Sequence, residues 1–134
     1  MFRSLFSKKK APLTGAPAVR RMKTYSAQSG YVYQYFYEGQ REFHAGGESG
    51  TEYVFHISAD RKTWVDASVL LGQTAMRAWQ QAHEGRELSS TERYAVAKMA
   101  LFQAFDERTT PAQMSGEIHV RPADVDGIVE SLDL

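Results

Sequence analysis

Four histidines, His44, His56, His83 and His119, are the first residues to weigh for chemistry. None stands at the HExxH or HxH spacing that brings two imidazoles onto one metal. His83-Glu84 opens like HExxH, but position 87, where the second histidine belongs, is Glu. A metal site would have to be composed by the fold from distant positions. The sequence itself assigns no metal ligand, no cofactor and no catalytic residue. With no cysteine in the chain, thiolate zinc sites, iron–sulfur clusters, disulfides and cysteine nucleophiles are excluded.

The glycine-rich stretch HAGGESG (44–50) invites comparison with oxyanion loops and phosphate cradles. A nucleophile elbow needs glycine two places after its serine, and Thr51 stands there. A Walker loop needs GK[ST], and this stretch has no lysine and carries Glu48, which repels phosphate. It reads as a hairpin loop. Asp66 is the one carboxylate placed for acid–base work, in mid-strand on the face of Trp64 and Ser68. Its bland reading is a solvent-facing acid.

The stretch YVYQYFYE (31–38) sets Tyr31, Tyr33, Tyr35 and Tyr37 on one strand face. Such a ladder is either a packed sheet surface or a base-stacking platform. A platform also needs cations for phosphates. Residues 24–60 hold one base, Arg41, against five acids, so packing under helices or at a protein interface is the favoured role. Tyr33, Tyr35, Trp64 and Asp66 are the residues expected to line any pocket or interface.

The elements that position these residues follow from periodicity. MKTYSAQ (22–28) is a first strand, and YVYQYFYE the strongest, aromatic and strictly alternating. Gly39-Gln40 reads as a turn, REFH (41–44) as a brief pairing segment and AGGESG (45–50) as a loop. TEYVFHIS (51–58) and TWVDASVLL (63–71) complete an antiparallel meander of about four strands. The period then becomes helical over 73–84. Ser89 and Glu92 form a capping box that opens a helix over 91–108, apolar around most of its circumference. EIHVR (117–121) is a short strand, and Pro122 opens a last helix. Strands gathered before helices predict an α+β fold with a single sheet and helices on one face. A helix so apolar calls for cover beyond the sheet, from other helices or another subunit.

Charge is the strongest remaining signal. Residues 1–23 carry seven basic groups and no acid; the other 111 residues carry nine basic and sixteen acidic groups. Net charge is zero, yet it is segregated into a +7 arm and a −7 body. Residues 1–21 read as a basic, flexible arm, broken by Pro12 and Pro17, ahead of one α+β domain over 22–134. The arm lacks the apolar run of a secretory signal and only partly resembles a transit peptide. No stretch approaches the roughly 20 apolar residues of a membrane span.

These features favour a non-enzymatic accessory or interaction protein, cytoplasmic and bound to a larger complex or an anionic surface. Phe2, Leu5 and Phe6 would fill pockets, and Lys8, Lys9, Lys10, Arg20 and Arg21 would meet acids. The partner is a protein or a second copy of the chain. Contact with an anionic membrane is weaker, because three short apolar anchors give only reversible binding. The acidic body of the same chain is a further candidate for the arm. A different class of reading is a ligand binder or enzyme with a pocket between the sheet and helix 91–108, to which Trp64, Asp66 and His56 would contribute. A non-specific single-stranded nucleic-acid binder is the third.

Overall fold

A computed structural model describes residues 10–134. Five strands form one sheet in the order of the chain: β1 (Lys23–Ser26), β2 (Val32–Ala45), β3 (Glu48–Ser58), β4 (Val65–Gly72) and β5 (Gly116–Val120). The first four are an antiparallel meander. Helices α1 (Gln73–Ala82) and α2 (Ser90–Glu107) form the crossover that returns the chain to β5, which lies parallel to β4. Helix α3 (Pro122–Ser131) ends the fold. The architecture is the expected α+β arrangement, with the sheet mixed rather than wholly antiparallel.

Two glycine signals act differently from their first reading. Gly39 does not turn the chain: β2 continues to Ala45, and the register shifts between Tyr37 and Gly39, leaving Glu38 as the extra residue of a β-bulge. The 45–50 loop shrinks to the two residues Gly46 and Gly47, with φ of 59° and 80°. Two positive-φ residues are what a tight hairpin between twisted strands requires, so Ala45 and Glu48 already pair.

The helical face of the sheet is the core. Tyr33, Phe55, Ile57, Ala67 and Val69 are buried against Val96, Ala97, Leu101 and Phe105 of α2. Of the tyrosine ladder, Tyr33 and Tyr35 lie buried under this helix and Tyr37 is half-buried, whereas Tyr31 precedes β2 and is exposed. The Tyr33 and Phe105 rings stack 4.1 Å apart, and Tyr35 meets Phe102 edge-on at 5.6 Å. Such pairs add about 0.5–1.5 kcal/mol to burial alone. The predicted capping box is present: Ser89 Oγ accepts from the Glu92 amide at 3.1 Å, and the Ser89 amide donates back to Glu92 Oε1 at 2.8 Å. Helix α2 is covered within the chain by the sheet, α3 and the turn at Pro111–Met114. Tyr94, Met99 and Phe102 stay half-buried on its flank. No helix among the described residues is long and apolar enough to cross a membrane.

Candidate functional site

Phe2, Leu5, Phe6, Lys8 and Lys9 lie outside the described residues. The rest of the arm runs back along the sheet. Thr14 and Gln40 exchange both backbone hydrogen bonds, at 2.9 and 2.8 Å, on the edge of β2 that β1 leaves open. Gly39 lets the arm approach this closely, since a Cβ there would meet the Thr14 carbonyl oxygen at 2.8 Å. Two basic residues of the arm then meet acids of the body. Arg20 Nη2 lies 2.8 Å from Glu38 Oε1, and Lys10 Nζ lies 3.8 Å from Glu52 Oε2. The first two acids that an arm in this position reaches are its own.

Between the arm and the body opens a cleft of about 530 Å³. Its floor is aromatic: Tyr35 and Tyr37 from β2, and Tyr94 from α2, whose ring centroid lies 4.8 Å from that of Tyr37. One wall is the arm, with Arg21 and, at the start of β1, Lys23; the other is the first turn of α2. Lys98 stands beside it, with Nζ 5.9 Å from the Tyr35 ring centre. Burial and then the Lys23 charge hold the Lys98 ammonium below its ordinary pKa. Arg21, Lys23 and Lys98 form no ion pair among the described residues. Burial raises the Tyr35, Tyr37 and Tyr94 hydroxyls above their usual range, so they stay protonated at neutral pH; that of Tyr37 already donates to Gln40 Oε1 at 3.1 Å. The cleft therefore combines unneutralised cations, hydroxyl donors and ring faces, a set suited to an anionic group carried on an apolar body.

The cleft sits between the sheet and α2, as one sequence reading required, but its residues differ from those expected. Tyr35 and Arg21 line it; Trp64, Asp66 and His56 do not. The strand register places those three on the opposite face. His56 Nδ1 lies 2.9 Å from Asp66 Oδ1, and its ring stacks on Trp64 at 5.2 Å. Tyr33 points to neither place. It borders a second cleft of about 440 Å³ near Ile57 and Pro111, and its buried hydroxyl has no hydrogen-bond partner among the described residues. His83 Nδ1 donates to the Trp79 carbonyl, 2.8 Å away, at the α1 C-terminus. His44 lies near the tip of the β2–β3 hairpin, and His119 faces outward from β5.

Sequence reasoning passed over Tyr94, Lys23 and Lys98. Tyr94 and Lys98 are four residues apart in α2, hence on one helix face, and that spacing was the available signal. The outer face of the sheet also holds a buried carboxylate that alternation alone does not reveal. Glu52, only 5% exposed, receives hydrogen bonds from Arg41 Nε at 3.0 Å and Ser68 Oγ at 2.7 Å. Burial pushes its carboxyl up, but the Arg41 and Ser68 hydrogen bonds and the Arg41 and Lys10 charges outweigh it and hold the pKa below the usual value.

No protein-family model, no curated protein and no solved structure matches the chain.

Proposed function

We propose that this is a non-enzymatic interaction protein that captures an acidic, aromatic-containing segment of a protein partner in the cleft between its basic arm and α2. One observation carries the reading. The arm is fastened by Thr14–Gln40 backbone pairing and by Arg20 on Glu38, while its neighbours Arg21 and Lys23 face an aromatic-floored cleft without a carboxylate partner among the described residues. Charge-assisted contacts give orientation and on-rate; the tyrosine floor gives the apolar area that holds the segment. Residues 2–9 of the sequence, with Phe2, Leu5, Phe6, Lys8 and Lys9, carry the same basic and apolar pattern.

The test uses the full chain and a fluorescent peptide alternating Glu and Tyr, followed by anisotropy. Saturable binding that Arg21→Glu with Lys23→Glu weakens about tenfold or more supports the reading. Binding unchanged by that double charge reversal overturns it.

The size of the cleft favours a second reading, a small aromatic carboxylate or phosphate as ligand, since about 530 Å³ falls within the range of small-molecule sites. A free aromatic carboxylate that binds as tightly as the peptide would select this reading over the first.

A further inference from the structure

Away from the cleft, the outer face of the sheet brings together three potential metal ligands from three adjacent strands. They are Glu38 of β2, His56 of β3 and Asp66 of β4, and one ligand atom of each lies within 4.8 Å of the other two. Pairing puts His56 directly opposite Asp66, with Nδ1 and Oδ1 2.9 Å apart. The third member is delivered by the bulge, which leaves Glu38 unopposed beside the Phe36–His56 pair. Bulges re-aim side chains in this way.

A second observation singles out Glu38. Glu38 Oε1 is buried and has no aligned hydrogen bond. The Arg20 guanidinium, 2.8 Å away, faces it as an ion pair. A buried carboxylate oxygen left in this condition costs free energy that a directly coordinated cation recovers. The imidazole is also held in place. Its ring lies 5.2 Å from Trp64 at an interplanar angle of 12°, and Phe36 packs on Trp64 at 5.3 Å. An apolar wall that fixes a ligand ring and limits water is a regular feature of metal sites.

We propose that Glu38, His56 and Asp66 bind a first-row divalent cation of the Zn²⁺ class, and that this cation competes with Arg20 for Glu38. One imidazole with two carboxylates suits Zn²⁺ or Mn²⁺ better than Mg²⁺, which keeps its waters and prefers oxygen alone. Ligands in a tetrahedral zinc site lie roughly 3.3 Å apart, so closing the triangle moves a ligand atom by roughly 1.5 Å at most. Water completes the shell. The imidazole nitrogen that coordinates does so unprotonated, and any proton it held passes to solvent. A cation on Glu38 removes the charge that holds Arg20, so metal binding loosens the arm.

The experiment is a calorimetric titration of untagged full-length protein with ZnCl₂, and separately with MgCl₂. The expected result is one saturable Zn²⁺ site, at least tenfold weaker in His56→Ala and in Glu38→Gln, tighter in Arg20→Ala, and at least a hundredfold weaker for Mg²⁺. Circular dichroism verifies folding of each variant. Asp66→Asn, at a well-exposed position, provides a third variant if Glu38→Gln does not fold. Absence of saturable Zn²⁺ binding, or binding unchanged by the ligand substitutions and so attributable to His44, His83 or His119, overturns the site. Affinity unaltered by Arg20→Ala overturns the competition.

Discussion

Arg20 reaches back across the sheet to Glu38, with Nη2 2.8 Å from Oε1, and this pair fastens the basic arm onto the acidic body. The Glu38 side chain is only 15% exposed, whereas that of Arg20 is 56% exposed, so solvent screens one end of the pair. Arg20→Ala should therefore cost no more than roughly 1 kcal/mol in global stability. Its larger effect should be local. The amides of Thr14 and Gln40, bonded to each other's carbonyls, should exchange faster in the variant. Hydrogen exchange read at those two amides checks this, and unchanged protection would mean that the backbone pairing holds the arm without Arg20.

Glu52 gives an acid-sensitive contribution. Its pKa is held below the ordinary 4.5, so its stabilising effect is complete above that value and is lost as pH falls through and below it. Arg41→Ala should destabilise the protein by about 3 kcal/mol at neutral pH, because it leaves a buried carboxylate without its main hydrogen-bond partner. The deficit should shrink on acidification as Glu52 protonates. Denaturant melts at pH 7 and pH 4 measure both.

Tyr25 gives an alkaline counterpart. Its hydroxyl donates to Asp106 Oδ2 at 2.8 Å, which ties the edge strand β1 to α2. Burial, then the hydrogen bond and the charge of Asp106, push the Tyr25 pKa up from 10.0 to about 12. The protonated form is thus the one the fold favours. Its contribution is complete below pH 10 and is lost as pH rises from about 10 to about 12. Tyr25→Phe should cost about 1–2 kcal/mol at neutral pH and reduce the alkaline loss over that interval. Stability against pH for the two proteins settles the sign.

Gly39 should not tolerate a side chain. Its φ of 131° is strained for any L-residue, and a Cβ would press on the Thr14 carbonyl oxygen. Gly39→Ala should destabilise by roughly 1–3 kcal/mol and release the arm from the β2 edge. Gly46→Ala places its methyl in open space and meets backbone strain alone, so it should leave the Thr14 and Gln40 amides protected. Exchange at those amides distinguishes the two effects.

Much of this architecture was legible where one physical signal dominated. The alternation of Tyr33, Tyr35 and Tyr37 set them on one face of β2, which the structure turns toward α2, and Ser89 with Glu92 marked the start of α2 within a residue. The failures share a cause. Glycine serves turns and bulges alike, so Gly39 read as the end of a strand that continues for six further residues, to Ala45. Local periodicity also carries no register. Nothing near Asp66 states that His56 pairs with it or that a bulged Glu38 joins them, because those neighbours are set by hairpin lengths elsewhere. The cleft was hidden for the same reason: Tyr94 and Lys98 lie within the two-helix crossover, and where it docks on the sheet is set by the tertiary fold that also makes β5 parallel.

If Arg21 and Lys23 recruit an acidic protein partner, that partner should be recoverable from nuclease-treated extract of the native host. Full-length wild type and the Arg21→Glu/Lys23→Glu variant would each be used for capture at low and high salt, with the bound proteins identified by mass spectrometry. The wild type should recover a defined set of proteins, diminished at high salt and lost with the charge reversal. Recovery of the same proteins by both forms, or their absence from both, would contradict it.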